Sequence, residues 1–166
     1  MQINFLVIAA SALIPTAIGF LWYGPMLFGK SWMAETGMTE EKAKNSNMLI
    51  MMGVSLLLSL FLAFGLTFVV IHQHHLWSLL ANEPNVQTAG SEANNAIMGF
   101  LNKYGSTFRT FKHGFFHGIL AGFMFAVPIL GLNALYERKS FKYFAINAGY
   151  WTLCMALMGG VICAWS

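Results

Sequence analysis

Charged residues are scarce in this sequence. Asp, Glu, Lys and Arg together make up 9% of its 166 residues, aspartate is absent, and the six acidic residues are all glutamates. A soluble domain carries about 25% charged residues because its surface must hold water. So few charges cannot coat a small globule with a high ratio of surface to volume, which excludes a soluble globular protein. The net charge of +3 and the lack of any basic run exclude a nucleic-acid-binding protein.

Signs of catalysis are equally scarce. The two cysteines, Cys154 and Cys163, lie nine positions apart in one apolar run, too far for a disulfide bond within one helix, and we expect them to be small packing residues. No serine or cysteine stands beside a matching base, and no glycine-rich phosphate loop is present. No apolar run holds the buried Asp, Glu, Lys or Arg that ion-coupled transporters use. We therefore expect a protein that is not an enzyme.

Long apolar runs are what the sequence does contain. Hydrophobic residues make up 57% of the chain, and its mean hydropathy is +0.62. A helix needs about 20 apolar residues to cross the hydrocarbon core of a bilayer. Four runs qualify, at about 3–22, 48–71, 115–136 and 143–165, and aromatic residues collect at their ends as in an interfacial belt. The pattern predicts an all-α integral membrane protein, a four-transmembrane-helix bundle that forms one domain over residues 1–166.

Positive charge is divided unequally between the two sides of the predicted bundle. Segments 24–47 and 137–142 share one side, which carries Lys30, Lys42, Lys44, Arg138, Lys139 and Lys142. The opposite side carries Lys103, Arg109 and Lys112. The positive-inside rule assigns the richer side to the cytoplasm. We therefore expect a multi-pass protein of the cell (inner) membrane, with both termini extracytoplasmic and residues 72–112 as an extracytoplasmic loop segment.

The loop between the second and third spans is too long for a simple turn. Within it, Ile97, Phe100, Leu101 and Tyr104 recur at helical spacing. This period predicts a short amphipathic helix lying on the membrane surface, and it is equally consistent with a docking site for a protein partner.

Small residues recur at every fourth position in the third and fourth spans. This spacing puts them on one face of each helix, where they let two helices approach closely. They are Gly114, Gly118 and Gly122 in the third span and Ala148, Thr152, Ala156 and Gly160 in the fourth. We expect these stripes to be packing faces of the bundle, with a homodimer contact as the alternative use of one stripe. Pro15 and Pro128 also lie within spans and should kink them.

All five histidines fall at span ends on the side predicted to be extracytoplasmic. His113 and His117 are four residues apart and project from one helix face, and His72 and His75 share a face if the second helix continues that far. His74 lies between the latter two. Because neutral imidazole is the commonest transition-metal ligand, we predict His72, His75, His113 and His117 as candidate ligands of a transition metal. The alternative is that these side chains hydrogen-bond headgroups, water and backbone.

Polar residues also occur at the opposite ends of the predicted spans. Tyr23 follows the first span, Asn133 lies late in the third, and Asn147 and Tyr150 lie early in the fourth. An amide in hydrocarbon needs hydrogen-bond partners because an unmet polar group is costly there. We expect these four side chains to form either interhelical hydrogen bonds or a small polar pocket open toward the cytoplasm.

Five motifs resemble those of a known family. The first span closes on WYGP (22–25), followed by FGKSWM (28–33) and GMT (37–39), and the fourth span holds INAGYW (146–151) and LMGG (157–160). These segments resemble the opening and closing signatures of the bacterial membrane family called domain of unknown function 1761, and the resemblance covers nearly the whole chain. It implies a small bacterial membrane protein and no established activity.

Two main hypotheses about function follow. The first is a non-catalytic accessory subunit or binding module of a membrane complex, which needs no cofactor and meets the lipid bilayer together with a membrane-protein partner or further copies of itself. The alternative is a small metal- or solute-binding or transport protein that uses the histidines of the outer side. A third hypothesis, a passive pore, predicts solute flux that depends on Asn147.

Overall fold

The computed structural model describes residues 3–166, so the first two residues of the predicted domain 1–166 lie outside the described part of the chain. The described residues form helices and turns and contain no β-strand, which confirms the all-α class. The α-helices are α1 (Phe5–Ser11), α2 (Ile14–Trp22), α3 (Gly29–Thr36), α4 (Glu40–Lys44), α5 (Met48–Val70), α6 (His75–Leu79), α7 (Glu92–Tyr104), α8 (Phe111–Ala121), α9 (Val127–Tyr136) and α10 (Phe141–Trp165).

Four helical segments are long and apolar enough to cross a membrane, which confirms the four predicted spans. They are Phe5–Trp22 (α1 and α2), Met48–Val70 (α5), Phe111–Tyr136 (α8 and α9) and Phe141–Trp165 (α10). Large apolar side chains cover their outer surfaces; Leu49 is 84% exposed and Phe61 is 66% exposed. So extensive an apolar surface is suited to lipid rather than to water.

Proline accompanies a break in two of the spans. In the first, α1 ends at Ser11 and α2 begins at Ile14, with Pro15 in its first turn. In the third, a π-helical turn over Gly122–Ala126 separates α8 from α9, and Pro128 stands in the first turn of α9. Proline has no backbone N–H and its ring clashes with the preceding turn, so a helix cannot run through it undisturbed. Both breaks lie where the sequence predicts a kink.

The last helix, α10, is the centre of the bundle. It contacts α2, α5, α8 and α9, and it is the most buried of the four spans. Its buried residues include the small residues Ala148, Ala156, Gly159 and Cys163, which let neighbouring helices approach it closely. The other spans pack around α10 and leave large apolar side chains exposed on their remaining surface.

The closest helix contact joins α8 to α10. A Cβ atom added to Gly114 would lie 2.1 Å from the Gly159 carbonyl oxygen, and one added to Gly118 would lie 2.2 Å from the Met155 carbonyl oxygen. Real Cβ atoms essentially never approach a neighbour within 3.0 Å. Glycine at these two positions is therefore what allows the two backbones to touch.

The other stripe residues also lie within the bundle. A Cβ atom on Gly122 would lie 2.7 Å from the Cα of Thr152, and one on Gly160 would lie 2.6 Å from the ring of Phe111. All seven residues of the two stripes are buried or partly buried: Gly114, Gly118, Gly122, Ala148, Thr152, Ala156 and Gly160. These small residues therefore allow close packing between helices of the same chain.

One end of the bundle collects the beginning of the first span, the end of the second, the beginning of the third and the end of the fourth. The side-chain amide of Asn4 donates to the carbonyl of Trp165 here (3.4 Å). Residues 71–110 connect α5 to α8 at this end. We call it the histidine end because all five histidines lie in it or in the adjoining turns of α8.

The opposite end carries most of the lysines, and we call it the lysine end. It comprises residues 23–47 and 137–142 with the adjoining helix ends. The ring nitrogen of Trp22 donates to the carbonyl of Ile146 there (3.0 Å). The hydroxyl of Ser140 donates to the carboxylate of Glu35.

The predicted amphipathic helix is present as α7. The hydroxyl of Ser91 caps its first turn by accepting from the N–H of Asn94 (3.1 Å). Ile97 is buried, whereas Phe100 on the same side of the helix is 45% exposed and Met98 on another side is 42% exposed. The helix therefore packs through one face and presents apolar side chains on its outer surface.

The contact between α8 and α10 predicts opposite outcomes for two glycines. Gly118→Ala puts a Cβ atom into the backbone of α10 and should lower the free energy of unfolding by about 1–3 kcal/mol, as overpacking does. Gly65→Ala is the matched control, because a Cβ atom there meets nothing within 4 Å and alanine favours a helix over glycine by up to about 1 kcal/mol. Unfolding by sodium dodecyl sulfate in mixed micelles, followed by circular dichroism, measures both. Equal stability of the two variants would contradict the packing argument.

Candidate functional site

Three of the five histidines meet at the histidine end. His72, His113 and His117 each offer a ring nitrogen, and these three atoms all lie within 4.8 Å of one another. The Nε2 atoms of His72 and His113 are 3.3 Å apart. The ring of His117 lies 4.3 Å from that of His113 and 4.7 Å from that of His72, between centroids. We call these three residues the histidine triad.

Two helix ends position the triad. His113 and His117 stand one turn apart on α8, and the hydroxyl of Thr110 caps that helix by accepting from the N–H of His113 (3.3 Å). Helix α5 ends because Ile71 adopts an extended conformation (φ −113°, ψ 92°), and a single 3₁₀ turn over His72–His74 follows. His72 therefore meets α8 immediately beyond the end of α5.

The other two histidines lie outside the triad. Because α5 does not continue past Val70, His75 does not share a helix face with His72; its Nδ1 lies 3.3 Å from the carbonyl oxygen of His72 instead. The ring of His74 packs on Phe68 (5.6 Å between centroids), and its buried Nε2 has no hydrogen-bond partner in the described part of the chain. Burial lowers the pKa of His74 and so favours the neutral imidazole. Three of the four predicted ligands are thus brought together.

One pair within the triad has the spacing of two ligands of a tetrahedral metal ion. Zinc–nitrogen bonds of about 2.0–2.1 Å at tetrahedral angles put neighbouring ligand nitrogens ~3.4 Å apart. The distance of 3.3 Å between Nε2 of His72 and Nε2 of His113 agrees with that spacing, and a ring nitrogen of His117 lies within 4.8 Å of the other two residues' ring nitrogens. Imidazole donors suit zinc, copper, nickel and iron. Three of them leave one coordination position open, as in zinc sites that bind an exchangeable ligand.

A cavity of about 480 Å³ adjoins the triad. It is lined by His72, Gln73, Leu76, Phe100, Tyr104, Thr107 and Phe108. The ring of Phe108 also stacks on His113, with 5.1 Å between centroids and 17° between planes. The triad and the cavity therefore share His72 and touch through Phe108.

Two residues that the sequence reasoning did not single out hold the cavity wall. Gln73 is buried, and its amide donates to the carbonyls of Thr107 (2.9 Å) and Tyr104 (3.3 Å), which ties the end of α7 to the end of α5. Phe108 has a left-handed backbone (φ 61°), which is rare for a bulky residue and persists only where its surroundings hold it. The position of Gln73, an amide between two histidines at the end of a span, is the sequence feature that could have identified it. No pattern in the sequence predicts the φ of Phe108.

Arg109 fastens the same region to the end of α10. Its Nε donates to the carbonyl of Cys163 (3.0 Å), and its guanidinium also donates to the carbonyl of Ser166. Carbonyls of a last helical turn lack partners within the helix and carry the negative end of its dipole, so an arginine there is stabilising. The thiol of Cys163 lies within hydrogen-bond distance of the carbonyls of Phe108 (3.4 Å) and Val70 (3.5 Å). The sequence reasoning counted Arg109 only as a loop charge.

A network of polar contacts lies at the lysine end. The hydroxyl of Tyr23 donates to Oδ1 of Asn147 (2.9 Å), whose Nδ2 donates to the carbonyl of Tyr143 (2.7 Å). The hydroxyl of Tyr150 donates to the carbonyl of Pro15 (2.7 Å), and its ring lies 5.0 Å from that of Tyr23. Burial raises the pKa of Tyr23, which keeps its hydroxyl protonated as a donor. These contacts join the first span to the last.

Asn133 does not join this network. Its side chain is exposed on α9, whereas the next residue, Ala134, is buried. A cavity of about 600 Å³ between α2, α5 and α10 has Tyr23 and Tyr150 in its wall but neither asparagine. The hydroxyls of Tyr23 and Tyr150 and the amide of Asn147 are engaged with other helices or with backbone. The hydroxyls of Tyr23 and Tyr150 therefore form hydrogen bonds between the first span and the last, and the Asn147 amide also bonds within α10.

The chain belongs to the family described as "Protein of unknown function (DUF1761)", which it matches over residues 6–163. This match confirms the resemblance indicated by the sequence motifs. No curated protein and no solved structure matches the chain. The opening and closing motifs of the resemblance meet in space, because Trp22 and Tyr23 bond to Ile146 and Asn147.

Removing the hydroxyl of Tyr23 tests the network at the lysine end. Tyr23→Phe removes the hydroxyl that donates to Oδ1 of Asn147 and should lower the free energy of unfolding by about 0.5–2 kcal/mol. The lower value is the net contribution of such a hydrogen bond in a membrane, and the upper value is the cost of leaving the acceptor without a donor. Tyr136→Phe is the control, because that side chain is 84% exposed. The same detergent titration measures both variants. If Tyr23→Phe is as stable as the control, the hydrogen bond of Tyr23 does not stabilise the bundle.

Proposed function

We propose that this protein binds a divalent transition-metal ion through the histidine triad. The observation that supports the proposal is the convergence of three ring nitrogens within 4.8 Å, with one pair at 3.3 Å. A hydrogen bond between two neutral rings accounts for the pair His72 and His113, but it does not account for a third ring nitrogen beside them. A metal ion accepts all three neutral rings at once.

The chemistry of the donors favours zinc and its neighbours in the periodic table. Three imidazoles with no thiolate suit zinc, copper(II), nickel and iron(II) better than magnesium or calcium, which prefer oxygen ligands. His72 is exposed and the other two are partly buried, so an ion can reach the site from the aqueous side. The open coordination position agrees with a binding protein from which the ion or its ligand exchanges.

This proposal corresponds to the alternative hypothesis from the sequence, a small metal- or solute-binding protein. A binding module remains within that description, since the triad would make the protein the metal-binding component of whatever assembly it enters. The role of accessory subunit stays a prediction from the sequence. So does the lack of enzymatic activity.

The proposed orientation puts the triad outside the cytoplasm. Six lysines and arginines lie at the lysine end and three at the histidine end, and the richer end is the cytoplasmic one by the positive-inside rule. Both termini and residues 71–110 would then be extracytoplasmic, and the triad would meet ions from the outer compartment.

The first test is metal binding by the purified protein in lipid nanodiscs. Equilibrium dialysis against Zn²⁺ should give one ion per chain, and His117→Ala should weaken binding by about 100-fold or more. His75→Ala is the matched control, because it removes a neighbouring histidine that lies outside the triad. Acidification should release the ion, since only neutral imidazole binds it.

The result that would overturn the proposal is equal zinc binding by the two variants, or none by the parent protein. Circular dichroism of each variant gives the independent check that the helices are intact. Loss of zinc in His75→Ala alone would also contradict the triad as the site.

Cysteine accessibility tests the orientation. Gln87→Cys lies in the loop at the histidine end and Asn45→Cys in the loop at the lysine end, and both positions are exposed. The native Cys154 and Cys163 are buried and give little background. In intact cells, a membrane-impermeant maleimide should label Gln87→Cys and spare Asn45→Cys until the membrane is opened. The reverse pattern would place the triad in the cytoplasm.

A further inference from the structure

The cavity beside the triad has a wall of unusual chemistry. Besides the imidazole of His72, three of its seven lining side chains are aromatic, those of Phe100, Tyr104 and Phe108, and none carries an acidic or a lysine or arginine group. The amide of Gln73, which could otherwise bind a ligand, is already donated to the carbonyls of Thr107 and Tyr104. The wall therefore offers apolar surface and few unused polar groups.

The polar partner for a ligand in this cavity lies at its border with the triad. His72 belongs to both, and Phe108 lines the cavity while stacking on His113. A divalent ion held by three neutral imidazoles keeps its charge of +2. The remaining coordination position is therefore best filled by an anion, and an anion reaching it from the cavity has its body among aromatic rings.

We infer that the site takes an aliphatic carboxylate, whose carboxylate completes the coordination of the metal ion and whose hydrocarbon tail lies in the cavity. The inference rests on the proposed metal binding. Binding is an exchange, in which the ionised carboxylate displaces a water molecule from the ion and no bond within the ligand changes. A volume of about 480 Å³ is in the range of pockets that hold small ligands.

Tight binding in this site needs both the metal ion and the apolar cavity. A short carboxylate such as acetate finds the ion but buries almost no apolar surface. An alcohol of the same chain length fills the cavity but brings no charge. Selectivity for the longer carboxylate is thus the signature of the two features acting together.

The test uses the full chain in nanodiscs loaded with Co²⁺, whose visible absorption reports its coordination. Octanoate should change the cobalt bands and bind at least about tenfold more tightly than acetate, because its tail adds buried apolar area. Octanol should leave the bands unchanged. Phe100→Ala should reduce the preference for octanoate over acetate without changing cobalt affinity, since Phe100 lines the cavity but is not in the triad. Phe61→Ala, on the lipid-facing surface of α5, should keep the preference.

The outcomes separate the two proposals. If cobalt does not bind, both fall. If cobalt binds but octanoate and acetate act alike, or octanoate leaves the bands unchanged, the carboxylate inference is overturned and metal binding stands. If Phe61→Ala reduces the preference as much as Phe100→Ala, the tail lies in the bilayer and the cavity is not its site.

Discussion

The contact of three helices around Gly159 is the constraint on which the histidine end depends. A Cβ atom on this glycine would lie 2.5 Å from the carbonyl oxygen of Gly114 and 3.2 Å from Cγ1 of Val70. The end of α5, the beginning of α8 and the last turns of α10 therefore meet at one point. His113 precedes Gly114 by one residue, and His72 follows Val70 by two, so the close approach that packs the backbones also brings the histidines together.

The parts of the molecule that the sequence predicts are those governed by lipid. A backbone in hydrocarbon must satisfy its own hydrogen bonds, so an apolar run of sufficient length is a helix with little regard to its neighbours. The same reasoning extends to α8, where a spacing of four puts His113 and His117 on one face. Antiparallel connectivity then brings the end of α5 to the same depth, which is enough to anticipate that His72 comes near them.

What the sequence does not reveal is the rotation of segments beyond a break. The second helix stops at Val70, so His75 turns away although its spacing from His72 suits a continuing helix. Asn133 follows the π-helical turn over Gly122–Ala126, and the extra residue of such a turn rotates everything after it relative to a straight helix. The left-handed backbone of Phe108 is likewise set by its contacts rather than by its side chain. Local periodicity does not carry across these points.

The triad differs from a structural zinc site in what holds it in place. In small zinc domains the metal supplies the folding energy, and the ligands scatter without it. Here the segments that carry the rings are also held by protein contacts: the glycine contacts of α8 and α10, the Arg109 hydrogen bonds to the end of α10 and the hydrogen bonds of Gln73 to the end of α7. We therefore expect the helices to stay packed whether or not the proposed ion is bound. Such an arrangement would suit the reversible binding of an ion and its ligand that we propose for the histidine end.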